Sequence, residues 1–119
     1  MKLPVAAVLG CVALAGSPAT GGEPVAVRAN PAVSMAPATV VLTVVIEPDQ
    51  RNRLLTVVTD SLDFYSASEV SLEGDQASRL QKFTLKNLPP GEYQVQARIT
   101  RADNSERVAQ TEMTVTGGV

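Results

Sequence analysis

Apolar and polar residues alternate along most of the second two-thirds of this chain, with the two-residue period of a strand half-buried in a sheet. The pattern is cleanest where Tyr93, Val95, Ala97 and Ile99 share one face and Gln94, Gln96, Arg98 and Thr100 share the other. Just upstream, Phe83 and Leu85 alternate with Lys82, Thr84 and Lys86. Leu88-Pro89-Pro90-Gly91 separates the two runs. Its prolines withhold backbone donors and Gly91 permits a tight reversal, so Lys82 to Thr100 reads as strand, turn, strand.

The same period recurs on either side. Thr39 to Glu47, TVVLTVVIE, places Val40, Leu42, Val44 and Ile46 on one face, with Val41 and Val45 on the other. Pro48 to Asn52 is a turn. Arg53 to Asp60 then puts Leu55, Val57 and Thr59 on one face and Leu54 and Val58 on the other. Apolar residues on both faces of these two strands predict that one outer face is partly covered by a neighbouring segment of chain. Ser61 to Ser68 is irregular, Glu69 to Glu73 alternates with Val70 and Leu72 inward, and Gly74 to Ser78 is a loop. Arg79 to Lys86 is a strand, Ala102 to Ser105 a hairpin turn, and Glu106 to Thr116 a closing strand with Met113 and Val115 in the core. Short strands spaced by turns, with no helical period, predict an all-β fold: an antiparallel β-sandwich of about seven strands over residues 39–116, with 117–119 as a tail.

The first residues read as an address. Lys2 precedes the uncharged run LPVAAVLGCVALA, which ends in Ala13-Leu14-Ala15. A basic start, a short apolar stretch and small residues at the cleavage positions make residues 1–15 a secretory signal peptide, too short to span a membrane. Val8-Leu9-Gly10-Cys11 also resembles a lipobox, whose cysteine would anchor the chain to a membrane by a lipid, but apolar residues follow Cys11 where small polar ones are usual. From Gly16 to Ala38 the chain is Gly, Pro, Ala and Ser with a few valines, and Pro18, Pro24, Pro31 and Pro37 punctuate it. Prolines at that spacing forbid a long helix and disfavour a central strand, so residues 16–38 read as a flexible tether. Within it, Val25-Ala26-Val27 has the composition of a short edge strand.

Composition narrows the chemistry. The 119 residues suffice for one domain, with 45% hydrophobic and 18% charged residues but only four aromatics and no tryptophan. A formal charge of −2 supplies no field for gripping phosphates, so nucleic acid is not the expected partner. The chain has no histidine, the commonest metal ligand and the usual general base near neutral pH. Cys11 is the sole cysteine, so no internal disulfide forms.

Leu85, Leu88, Gly91, Tyr93, Val95 and Ala97, spaced L-x-x-L-x-x-G-x-Y-x-V-x-A, resemble the crossing into the sixth strand of immunoglobulin-like and fibronectin type III domains. The resemblance covers residues 39–116. It implies that Leu88, Gly91 and Tyr93 form a tyrosine corner, the Tyr93 hydroxyl bonding backbone a few residues upstream. The chain departs from the antibody pattern in lacking Cys–Trp–Cys, and it has Leu55 and Val57 where fibronectin domains carry a tryptophan. SLDFYSASEVSLEG and LPPGEYQV are also similar to small exported bacterial proteins of this sandwich class, a likeness that implies no activity.

Candidate sites are few. Asp60, Asp63, Glu69, Glu73 and Asp75 make an acidic stretch without a base. Closely spaced carboxylates suit calcium, yet the EF-hand pattern is missing and Glu69 and Glu73 point outward, so a solvated acidic surface is the expectation. Phe64-Tyr65, flanked by Asp63, is a candidate partner or sugar anchor, with Phe64 alternatively plugging one end of the sandwich. Arg98, Arg101 and Arg107 read as outward or strand-end residues, cross-strand partners for Glu106 and Glu112. No serine lies in G-x-S-x-G or S-x-x-K. Paired carboxylates would need a cleft that a sandwich of this size does not evidently provide.

These readings lead to an exported, non-catalytic binding or structural accessory module, without cofactor or metal. The expected partner is another protein or a cell-surface component. The alternative is a carbohydrate- or surface-binding module using Asp63, Phe64 and Tyr65. Secretion or periplasmic export follows from the leader, with lipid anchoring through Cys11 as its alternative. The mature chain is expected to begin near Gly16, which N-terminal sequencing of the extracytoplasmic fraction checks. Retention of Met1, or a lipid on Cys11, would refute that expectation.

Overall fold

β-Branched and alternating segments of residues 24–117, the part of the chain described by the computed structural model, form eight strands. They are β1 (Val25–Asn30), β2 (Val33–Met35), β3 (Ala38–Ile46), β4 (Asn52–Asp60), β5 (Tyr65–Ser71), β6 (Leu80–Leu88), β7 (Gly91–Arg101) and β8 (Glu106–Thr116). A 3-10 turn, Gly74–Gln76, lies between β5 and β6. Two sheets result, one ordered β1-β3-β6 and the other β2-β8-β7-β4-β5. All pairings are antiparallel except that of β2 with β8. This is the all-β sandwich that the alternation predicts.

The inward faces meet as the two-residue period requires. Val40, Leu42, Val44 and Ile46 of β3 pack against Leu55 and Val57 of β4, Val95, Ala97 and Ile99 of β7, and Met113 and Val115 of β8. All of these are buried. Each such aliphatic side chain stabilises the fold by roughly 1.5–3 kcal/mol relative to exposure.

Two stretches differ from the sequence reading. Residues 24–38 are not a tether: the edge strand expected at Val25-Ala26-Val27 is the start of β1, which pairs with β3 from Val25↔Ile46 to Asn30↔Val41, and β2 pairs with β8. Val25 and Ala29 are buried in the core. Pro24, Pro31 and Pro37 fall outside the strands, so their spacing leaves room for short edge strands while still forbidding helix. This segment extends both sheets at their edges, so the covering predicted for the outward residues Val41 and Val45 is not supplied by it. The remainder of the predicted tether, the leader with Cys11, and the last two residues of the tail lie outside the described residues. The second difference is Tyr65 to Ser68, read as irregular but forming the first half of β5, with Tyr65 opposite Asp60 and Ser68 opposite Val57.

A third correction concerns Arg101, which is not a solvated strand-end residue. It is 5% exposed, at the sandwich end formed by the β3–β4 and β7–β8 turns. Its Nε donates to Asn52 Oδ1 at 3.3 Å, and its guanidinium lies 3.5 Å from Asp49 Oδ2. Asp49 also accepts from the side chain and backbone of Arg51. These Arg51 hydrogen bonds, with the charge of Arg101, hold the Asp49 carboxyl well below the usual carboxylate range. A buried guanidinium tolerates its site only when paired in this way.

At the opposite end Tyr93 is fully buried, and its hydroxyl donates to the Pro89 carbonyl, four residues upstream. Gly91 has φ of 156°, and a Cβ there would lie 3.8 Å from the Tyr93 ring, so the turn closes over the ring. Leu88 is buried beside it.

Two stability predictions follow from these ends. Tyr93→Phe removes one buried hydrogen bond and is expected to cost about 1 kcal/mol in urea melts. Tyr93→Ala also opens a cavity and is expected to cost several times more. Asp49 has a depressed folded-state pKa, so its contribution is present above its unfolded pKa and disappears as pH falls. Stability should therefore decline below about pH 4, and Asp49→Asn should flatten that acid limb in melts taken across pH.

Candidate functional site

The outward residues of the five-stranded sheet form ordered rows across neighbouring strands. Because Tyr93 and Val95 point into the core, Gln94 and Gln96 point out. Gln94 lies opposite Asp60 on one side and Glu112 on the other, and Asp60 lies opposite Tyr65. One row thus runs Tyr65, Asp60, Gln94, Glu112. The next runs Ala67, Val58, Gln96, Gln110. A hollow of about 310 Å³ lies over these rows, lined by Val58, Asp60, Gln94, Gln96 and Gln110, with Val95 beneath. Arg98 borders it, donating to Gln96 Oε1 at 3.0 Å and lying 3.7 Å from Glu106.

The residues singled out in the sequence separate here. Tyr65 opens β5 and is 67% exposed on the outer face. Phe64 turns the other way: it is half-buried, packs on the core and meets Tyr93 edge-on, with centroids 5.8 Å apart at 61°. Asp63 lines a second hollow of about 290 Å³, with Ser61, Leu62, Pro90, Gly91 and Glu92. Leu62 projects fully into solvent at this hairpin tip. Asp63, Phe64 and Tyr65 therefore do not act as one cluster, since successive residues entering a strand face opposite ways.

Leu88, Gly91 and Tyr93 do come together, under the β6–β7 turn. Burial pushes the Tyr93 phenol up, with the negative charge of Asp63 acting in the same direction. Within the acidic stretch, Glu69, Glu73 and Asp75 are exposed. Among the described residues no three His, Cys, Asp or Glu side chains gather as a metal-holding group. Gln94, Gln96 and Gln110 were not distinguished by the sequence, where they read as ordinary residues on a polar face. Only the order of the strands brings β4, β7 and β8 side by side.

The fold places the chain among immunoglobulin-like all-β sandwiches, and comparison with solved structures agrees. The chain is similar to a superoxide reductase (neelaredoxin) from Ignicoccus hospitalis, with a TM-score of 0.62 and 18% identity over 78% of this chain and 80% of that one. It is also similar to the CARDB domain of a Pyrococcus furiosus protein, solved in complex with di-metal ions, with a TM-score of 0.54 and 15% identity over 79% of this chain and 92% of that one. No family model and no curated protein matches the chain.

These likenesses correct one sequence expectation. The expectation that the chain is not an enzyme rests partly on the small sandwich lacking a cleft. The superoxide reductases it resembles are enzymes built on this fold, so sandwich size does not exclude catalysis. At such low identity the likeness extends to the fold alone.

Proposed function

We propose that this chain is an exported binding or structural accessory module of the fibronectin type III-like kind. It meets another protein or a cell-surface component through the outer face of the five-stranded sheet and the adjoining 61–64 hairpin. One observation carries this reading: Tyr65, a large ring 67% exposed, heads a row containing Asp60 and Gln94 beside a hollow. An aromatic held exposed on a rigid strand is the kind of anchor that dominates binding energy, because its ordering cost is already met by the fold. The three-plus-five strand order and the Tyr93 hydroxyl bond support the fibronectin-like kind. Export rests on the leader composition of residues 1–15, with lipidation of Cys11 as the anchored alternative.

A second reading is favoured by the free edge of β5. An edge strand accepts a partner strand through backbone hydrogen bonds, independent of the Tyr65 ring. Co-sedimentation of the purified mature chain with the envelope fraction of its own cells separates the two. Tyr65→Ala is expected to weaken face recognition by about 30-fold, equivalent to roughly 2 kcal/mol, with the urea midpoint unchanged. Edge recognition would tolerate that change and fail in Glu69→Pro. The Leu72 N–H donates to the Arg53 carbonyl, so alternate residues down to Ser66 face β4 and the N–H of Glu69 lies on the open edge. Envelope binding that ignores both substitutions in folded protein would refute this function.

A further inference from the structure

Resting on that reading, we infer that the outer face of the five-stranded sheet binds an uncharged polysaccharide chain lying across the strands. The first argument concerns which groups are free to recognise anything. In the middle of a sheet every backbone N–H and C=O is consumed by the ladders, so an occupant of this face meets side chains only. A peptide strand needs backbone partners and would go to an edge instead.

The second argument is the chemistry of those side chains. Gln94 and Gln110 each present a carboxamide, which donates and accepts, Gln96 presents its amide donor while its Oε1 accepts from Arg98, and Asp60 presents two acceptor oxygens. Sugar hydroxyls also donate and accept, so neighbouring hydroxyls on one ring pair with such groups in a bidentate manner. Val58 supplies an apolar floor for the ring carbons. Tyr65, at the end of the same row, offers an exposed ring on which the C–H face of a pyranose stacks.

Size and charge define the occupant further. From Tyr65 on β5 to Glu112 on β8 the row crosses three strand spacings, roughly 14 Å, enough for about three sugar rings. Among the described residues the face carries Asp60, Glu69, Glu92, Glu106 and Glu112 against the single guanidinium of Arg98. That excess of negative charge repels anionic polymers such as uronates, while the hollow itself holds three carboxamides and a single carboxylate, groups that pair with the hydroxyls of an uncharged chain.

Isothermal titration and amide NMR of the folded mature chain with cello-, chito- and xylo-oligosaccharides test this, with polygalacturonate as the anionic control. The expected result is binding to at least one neutral series, little affected by salt, with the side-chain amide signals of Gln94, Gln96 and Gln110 shifting. Tyr65→Ala should weaken it at least tenfold, Tyr65→Phe should retain most of it, and Gln94→Ala should weaken it several-fold without loss of stability. The absence of any response to neutral oligosaccharides at millimolar concentration would overturn the inference, as would preference for polygalacturonate or indifference to Tyr65→Ala. If envelope binding depends on Tyr65 while sugars do not bind, only the glycan inference falls. If envelope binding ignores both Tyr65→Ala and Glu69→Pro, the wider function falls with it.

Discussion

The buried ring of Tyr93 ties together the parts of this sandwich that have least else to hold them. The β6–β7 connection is a bare Pro-Pro turn with no helix or disulfide behind it, and its geometry rests on the Tyr93 hydroxyl reaching the Pro89 carbonyl. The same ring packs against Phe64, which fixes the start of β5. One side chain therefore sets both where the chain crosses between sheets and how the β4–β5 hairpin enters its strand. In a core made mostly of valine, leucine and alanine, a large ring with a polar tip fills volume and satisfies a backbone acceptor at once.

That constraint reaches the candidate site. Phe64 turned inward against Tyr93 obliges Tyr65, its neighbour, to face outward at the head of the row with Asp60 and Gln94. The exposed tyrosine is thus held on a strand whose register is fixed from below, rather than on a mobile loop. The far end of the sandwich is organised differently, by the buried guanidinium of Arg101 among Asn52 and Asp49. There the polar groups are committed to one another, which makes that cluster a structural clamp. On the outer sheet face Arg98 engages Gln96 and Glu106, while Asp60, Gln94 and Gln110 line the hollow.

The structural likeness to superoxide reductases and to a CARDB domain is a statement about backbone. Sandwiches of this kind present loop ends and sheet faces on which different chemistries are mounted, and the side chains decide which. Here the side chains on the outer sheet face are an aromatic, amides and carboxylates, groups suited to hydrogen bonding and stacking.

Alternation alone determined the all-β class, the strands β3, β4, β6, β7 and β8 to within a residue or two, and the inward set from Val40 to Val115. Those features are local: each strand's buried face is written in its own period, and the turns at Pro89-Pro90 and Ala102 to Ser105 in their own residues. What needed the tertiary structure was every feature that depends on which strand lies beside which. Val25-Ala26-Val27 reads as a short edge strand and is the start of β1. The rest of β1 and β2 looked like tether because proline spacing and small residues describe an edge strand as well as a linker, and only pairing with β3 and β8 tells them apart. Arg101 reads as solvated until the two turns close over it. Gln94, Gln96 and Gln110 become a surface only when β4, β7 and β8 stand side by side, since a row across strands leaves no trace along any one of them.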